Sequence, residues 1–449
     1  MSATPRIVIA GGGVAGLEAL LALRALLGAR VEIDVVAPGD RFVLRQFSVA
    51  EPFGFGEHTS FDLGALIDDA GGRHLRDAIT GVDCATRMIT TAAGAQLSFD
   101  RLILAPGASP EPSLPGAMTY RGADSNPAVA AALLRVGRGE GAGVAFAVPA
   151  TVHWSLPIYE LALLGAGYLD HGRGAGGLAL VTAEASPLPP FGAEVGARIR
   201  GLLERAGVRL HAGVAPARMG EHGLALVDGS VVPCETTIAM PRLRVAPIEG
   251  IPQDHHGFID TDPRMQVYGC PDVYAAGDST WFPVKQGGLA TQQADVAAAA
   301  IAHSLDPGIE SPPFRPVLRA ALLTSGGPLY MRAGSEQPRR AAMSSEPLWW
   351  PPAKVAGRHL APFIGAHAVE SNAPDPELTD LEPASGEDAS DHEAVIEMVR
   401  AGADVEASAG NYGMALRWLA VAERLELILP PEYATRREQW RQALRDQIA

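Results

Sequence analysis

Positive charge is scarce in this chain. Lys and Arg number 36 against 51 Asp and Glu, a formal net charge of -15 over 449 residues. That balance argues against nucleic-acid phosphates as a partner and offers no attraction to an anionic lipid surface. Cysteine is nearly missing: Cys84, Cys234 and Cys270 form no C-x-x-C and no close pair, so neither a disulfide framework nor a redox pair is expected. No apolar run is long enough to span a bilayer, the alanine-rich stretch 296–302 being too short. The first strand begins before residue 10, which leaves no room for a signal peptide and makes a cytoplasmic, reducing location the expectation. No metal site is expected. His255 and His256 are adjacent, so on a strand their rings would point apart, and a solvated loop is the plainer reading.

What is present is an ordered globular composition, 47% hydrophobic, in a chain too long for one core. Arg6-Ile7-Val8-Ile9-Ala10 reads as a buried strand and runs into Gly11-Gly12-Gly13-Val14-Ala15-Gly16. A helix follows from Val14 to Leu27. In this setting Gly11 permits the tight turn, Gly13 lets backbone approach a pyrophosphate, and Gly16 lets helix pack on strand. Free N–H groups at the helix start then hold phosphate.

A second α/β pattern begins after the Pro- and Gly-rich residues 109–127. It runs through strands 143–148, 178–183 and 208–212, helices 157–168 and 192–206, and a hairpin over 224–232. The chain then returns to a strand at Val273-Tyr274-Ala275-Ala276 and a long helix from Gly288. The expected fold is α/β: two Rossmann-like dinucleotide-binding domains plus a C-terminal α-helical extension. Residues 1–110 and 250–310 form the first domain and 111–249 the second. An interface region follows over 311–369, then an acidic linker at 370–391 and helices over 392–449. In the last of these, Ala415, Trp418, Leu419, Ala422 and Leu425 fall at helical spacing.

Three segments converge on one cofactor: the glycine turn, the strand ending Ala105-Pro106-Gly107, and Gly277-Asp278 with Lys285-Gln286-Gly287-Gly288-Leu289-Ala290. Together they resemble the two-dinucleotide-domain flavoproteins, a family that includes type II NADH dehydrogenases, sulfide:quinone oxidoreductases and ferredoxin reductases. The resemblance covers about residues 1–305. It implies FAD, with Gly11, Gly13 and Gly16 on the pyrophosphate, Ala105 and Gly107 beside the adenosine, and Asp278 on the ribityl chain. The helix from Gly288 would turn its positive end to the flavin, with the N–H of Leu289 or Ala290 as donor and Lys285 adding charge. Arg45 would meet a phosphate or the flavin, with a surface arginine as the alternative. Glu160, in a Glu-Leu-Ala run, aligns with a glutamate near the isoalloxazine and suits proton relay; an exposed first-turn glutamate is the alternative.

Two departures bear on function. Position 37 is alanine where a ribose-binding acid is expected, and Asp40 is the nearest acid after the strand. The second unit has no glycine fingerprint: residues 149–157 read Pro-Ala-Thr-Val-His-Trp-Ser-Leu-Pro, where side chains would occupy the space of a pyrophosphate and Pro149 and Pro157 lack N–H donors. Glu184 ends the next strand and reads as an ordinary acid, with ribose binding as the alternative. NAD(P)H as donor is weakened and stays open. Trp154 and Tyr159 are candidate walls of a donor pocket. Gln292 and Gln293 are candidate ligands of a quinone carbonyl. The mix Trp349, Trp350, Lys354, Arg358 and Phe363 suits either a membrane interface or packing under the flavin domain.

The leading expectation is an FAD-dependent oxidoreductase passing electrons from a small donor through flavin to a quinone or similar acceptor. The alternative is a flavin-bearing binding module that docks a protein redox partner through its C-terminal helices. A homodimer and peripheral contact with the inner face of a membrane stay open.

Overall fold

The computed structural model describes residues 4–54, 60–170, 177–333, 343–349, 351–369, 396, 399–400, 402–404, 406–408, 410, 412–424 and 428–448. The acidic stretch 370–391, Trp350 and Leu425 lie outside them.

Two parallel sheets form, and the strands at their centres, rich in Val, Ile, Leu and Ala, are buried on both faces. In the first sheet Arg6–Ala10 lies at the centre, flanked by Glu32–Val36 and Arg73–Leu75 on one side and by Arg101–Leu104 and Val273–Ala275 on the other. Alternation assigns its two faces. Ile7, Ile9, Val35 and Ile103 meet the helices Val14–Leu27 and Gly287–Leu305, while Val8, Val36, Leu102 and Val273 meet a smaller core with Ile89 and Phe99. The second sheet runs Met118–Thr119, Thr236–Ala239, Val144–Val148, Leu178–Thr182, Arg209–Ala212. The hairpin joins Gly223–Leu226 to Val231–Val232, with Gly229 in the left-handed region at φ +86°. The structure is thus α/β with two parallel sheets, followed by C-terminal helices.

Residues 311–369, mixed in sequence, contain an antiparallel sheet of Leu318–Thr324, Gly327–Ala333 and Met343–Ser344 and a helix, Leu360–Val369. That helix is anchored by Glu18, a fully buried acid of the first helix. Its carboxylate accepts the N–H of His359 at 2.8 Å and of Leu360 at 2.7 Å, so a side chain distant in sequence satisfies the helix start. Burial raises the Glu18 carboxyl, and the adjoining Asp295 is raised well above the usual range by burial and by Glu18. With His359 these two acids are the described residues that bring three metal-ligand atoms within 4.8 Å. The amides and the carboxyl–carboxylate contact already satisfy Glu18.

One expectation is corrected. Cys84 and Cys270 are joined in a disulfide across 186 residues, with Cα atoms 5.4 Å apart. The hairpin carrying Cys84 and the loop before Val273 cover the same core, a proximity that sequence spacing does not reveal. Of the two readings of the stretch from Trp349, Trp349 and Lys354 follow packing: both are buried. Trp349 packs edge-on against Tyr330 at 5.1 Å. No described helix is long and apolar enough to cross a membrane.

Candidate functional site

The glycine turn has the geometry of a phosphate cradle. Gly11 has φ +122°, and a Cβ there would lie 2.0 Å from the Ala105 carbonyl oxygen; one on Gly16 would lie 1.9 Å from the Gly11 oxygen. Both glycines are required by protein packing. Gly13 differs: a Cβ on it meets no atom within 4 Å, so the space it leaves belongs to no protein group. Gly13 also caps the first helix, which has no side-chain cap and no acid in its first turn. Open amides, a positive helix end and unfilled space are what a pyrophosphate needs, and FAD fits there. Gly107, at φ +72° with open space around its α-carbon, and buried Ala105 end the neighbouring strand. Arg45 is exposed at the start of the short helix Arg45–Phe53.

Asp278 sits in a single helical turn, Gly277–Ser279. Its carboxylate has no hydrogen-bond partner among the described residues, which leaves it free for a ligand hydroxyl. Burial raises it, and Lys285 opposes that. Lys285 is itself buried. Its Nζ donates to the Thr280 carbonyl and lies 4.0 Å from the centre of the Phe258 ring. Burial pushes it down to about 7 against the pull of Asp278. The unfolded chain therefore binds more protons than the folded one between about pH 7 and 10.5, and this lysine makes stability rise with pH through that window. Chemical denaturation of the apoprotein across the window is expected to show that rise, and Lys285→Met is expected to flatten it.

The helix Gly287–Leu305 directs its start toward this region, but its donors differ from the expected ones. The Gln286 side chain accepts the Leu289 N–H at 3.0 Å, and the Gln286 carbonyl accepts the Ala290 N–H at 3.0 Å. Among the described residues, the amides at the positive end without a partner are those of Gly287 and Gly288. A Cβ on Gly287 would collide with Val355 at 2.8 Å, so packing demands glycine at that position. Gln292 and Gln293 are also turned to structure. Gln292 holds the Val317 backbone at both ends, donating at 2.8 Å and accepting at 2.8 Å. Gln293 accepts the Gly277 N–H at 2.8 Å and so fixes the Asp278 turn. Gln292 donates both N–H groups of its amide, to the Gly288 and Val317 carbonyls, and so has none for a quinone carbonyl; in Gln293 it is the amide oxygen that is engaged.

Glu160 is fully buried in the helix Leu156–Asp170. Lys354 Nζ donates to it at 2.6 and 2.8 Å and to the Gln46 carbonyl at 2.8 Å, while the Leu323 N–H donates to it at 2.9 Å. Burial raises the acid and lowers the lysine, each opposed by the other. The pair ties the second unit to the segments around residues 46, 323 and 354. Nothing in the sequence near Lys354 marks it as Glu160's partner.

The loop that replaces the second fingerprint forms the floor of a cleft with Trp154, Pro149 and His153 on its surface. Tyr159 is not on that surface. It is fully buried, and its hydroxyl donates to Glu184 at 2.5 Å, because a phenol on the inner face of this helix must find an acceptor. Glu184 also accepts from Ser155 at 2.7 Å and Thr182 at 3.1 Å, so both of its oxygens are engaged in holding the loop. The far wall consists of Gly402, Glu406 and Trp418, from the C-terminal helices.

A sequence profile described as pyridine nucleotide-disulphide oxidoreductase matches residues 5–303. An NADH dehydrogenase-like protein of Mycobacterium tuberculosis is 27% identical over 307 residues, covering 61% of this chain and 72% of its own. The ferredoxin–NAD(+) reductase component of a biphenyl dioxygenase system in Paraburkholderia xenovorans is 27% identical over 337 residues, 68% of this chain and 77% of its own. Among solved structures, the sulfide:quinone oxidoreductase of Aquifex aeolicus superposes with a TM-score of 0.67 at 17% identity, covering 76% of this chain and 86% of that one.

Proposed function

From the premise that this chain belongs to the pyridine nucleotide-disulphide oxidoreductase family, we propose that it is an FAD-dependent oxidoreductase that takes electrons from a small donor and delivers them to a quinone or similar acceptor. The observation that carries the reading is the unfilled space at Gly13 beside a helix start that has no side-chain cap; the half-buried Asp278, with no hydrogen-bond partner among the described residues, supports it. When bound, FAD supplies the capacity to accept an electron pair from one partner and release it to another.

The chain's own groups have definite tasks in this reading. Gly11 and Gly16 hold the turn, and Gly13 leaves room for phosphate. Asp278 accepts a hydroxyl of the ribityl chain. The Gly287 and Gly288 amides, at the positive end of a long helix, stabilise negative charge that develops on the ring. Lys285, poised near neutrality behind Asp278, adjusts the charge of that edge. The Glu160–Lys354 pair positions the cleft helix, and its buried acid holds a proton more readily than a free glutamate.

The donor reaches this site through the cleft over Trp154. Burial of Trp418 beside Phe282 favours this reading over docking of a protein partner through that helix face. The test is anaerobic mixing of the yellow protein with NADH, NADPH and sulfide in turn, followed by reoxidation with a soluble quinone. Bleaching by one donor and recovery with quinone is the expected result. A purified protein without a flavin spectrum would defeat the proposal.

A further inference from the structure

The first sheet is built from two stretches of chain. Four of its strands, from Arg6–Ala10 to Arg101–Leu104, precede the second sheet in sequence, and the fifth, Val273–Ala275, follows it. The glycine turn therefore lies on one stretch, and the Asp278 turn and the start of the helix Gly287–Leu305 lie on the other.

At the amino end of Val273–Ala275 the two stretches meet in a joint. The Val82 N–H, on the hairpin of Ile79–Asp83 and Met88–Thr91, donates to the Glu249 carbonyl at 2.8 Å, and the Glu249 N–H donates to the Thr80 carbonyl at 2.9 Å. Gly250, at φ +79°, packs so closely that a Cβ on it would lie 2.0 Å from the Val82 oxygen. Asp272 pairs with Arg87 at 2.6 Å and with Arg101 at 3.1 Å. The Cys84–Cys270 bond fastens this joint and closes a loop of chain that contains the whole second sheet. The glycine turn and Asp278 stand at the carboxyl ends of the same strands, so the bond acts on the candidate flavin site through the fold and not by contact.

The two sulfurs differ in access. Cys270 is buried in the core with Val82, Ile89 and Val273. Cys84 is half-buried, and the next three residues of its turn, Ala85, Thr86 and Arg87, are exposed. A thiolate arriving from solvent meets Cys84 and not Cys270, which is the condition for exchange at one end of the bond.

We propose that the Cys84–Cys270 bond is a redox switch on cofactor retention. Closed, it clamps the stretch carrying Asp278 to the stretch carrying the glycine turn; opened by a dithiol, it lets the two separate more readily and release flavin. The inference rests on the flavoprotein reading above and adds the control of its cofactor. In the opening step one thiolate of the dithiol attacks Cys84 Sγ, the bond to Cys270 breaks, and Cys270 leaves as a thiolate and takes a proton. The second thiol of the reagent then displaces Cys84 from the mixed disulfide. The dithiol loses two electrons and two protons, and the two cysteines gain them. Closing is the reverse, with a disulfide as oxidant. The effect on stability comes from the long loop, whose closure restricts the opened chain.

The full-length holoprotein tests this in three measurements. Alkylation in denaturant followed by mass spectrometry is expected to label Cys234 alone without reductant and all three cysteines after reduction. Labelling of all three without reductant overturns the proposal. Millimolar dithiothreitol is expected to open the bond in the folded protein; a bond that opens only in denaturant is a fixed staple, and overturns the switch. The temperature at which flavin fluorescence is released is expected to fall by about 5 °C on reduction. Cys84→Ser is expected to show the lower temperature with or without dithiothreitol, and Cys234→Ser to respond as the wild type does. If Cys84→Ser does not fold, the wild type in its two redox states decides. A wild type purified without flavin defeats the proposed function and this inference with it, whereas bound flavin released at the same temperature in both redox states defeats only this inference.

Discussion

Gly13→Ala is expected to give a protein that folds but does not hold flavin. A methyl group there meets no protein atom within 4 Å, and φ of -87° with ψ of -165° is extended backbone open to alanine. The protein's own cost is that of alanine for glycine at a helix N-cap, roughly a few tenths to 1 kcal/mol. The cofactor's cost is far larger, because the methyl occupies the space in which phosphate oxygens meet the helix amides. Flavin content per polypeptide after gel filtration is expected to fall at least about tenfold, equivalent to about 1.4 kcal/mol, with apoprotein circular dichroism and melting nearly unchanged. Gly16→Ala is the contrast. Its methyl would lie 1.9 Å from the Gly11 oxygen, so it is expected to damage folding and flavin binding together. Full flavin content in Gly13→Ala would remove the glycine turn from the cofactor site.

The second large effect concerns Lys354. Replacing it with alanine leaves the Glu160 carboxylate fully buried, with the Leu323 N–H as its remaining partner. Removing one member of a buried ion pair costs about 3–5 kcal/mol, because the other charge keeps its desolvation penalty. The midpoint of urea unfolding is expected to shift accordingly. The loss is also expected to depend on pH in a definite direction. Burial already raises Glu160, and loss of the lysine raises it further. A carboxyl raised in the folded state is neutral there while the unfolded chain ionises, so its favourable contribution is complete at low pH and fades as pH climbs through the folded value. Lys354→Ala should therefore recover stability on acidification, and the double variant Glu160→Leu/Lys354→Met should recover much of it at neutral pH. A Lys354→Ala protein as stable as wild type at neutral pH would show that the pair does not hold these segments together.

These two sites differ in how openly the residues announce them. The glycine turn could be read directly, because a strand, a turn and a helix start are local and each glycine has its own steric reason. The same holds for the strand ending Ala105-Pro106-Gly107 and for Gly277-Asp278, where short segments carry the geometry themselves. Lys354 could not be read in this way. It stands in a Trp-Trp-Pro-Pro-Ala-Lys stretch that suits an interface or packing equally, and only the fold brings it to an acid 194 residues away. Gln292 shows a related effect. Its residue type suits a ligand, but whether an amide is free depends on which backbone groups lie nearby, and here the Gly288 and Val317 backbone occupies it. The Leu289 N–H is taken because the Gln286 side chain folds back as a cap, a choice of rotamer that composition does not disclose. The disulfide between Cys84 and Cys270 follows the same pattern, since pairing depends on where two distant loops meet.

By itself the sequence determined that this is an α/β protein with a phosphate-binding first turn and a second unit deprived of the usual glycines. Those properties follow from hydrophobic period, from the conformational range of glycine and from the missing N–H of proline, all of which act over a few residues. Tertiary structure alone decided what became of the second unit's cleft. It engaged Glu184 with Ser155, Tyr159 and Thr182, buried Tyr159 beneath the floor, and brought Trp418 and Glu406 across from the far end of the chain as a wall. Shape and charge in a cleft are sums over residues distant in sequence, so they exist only once the chain has folded.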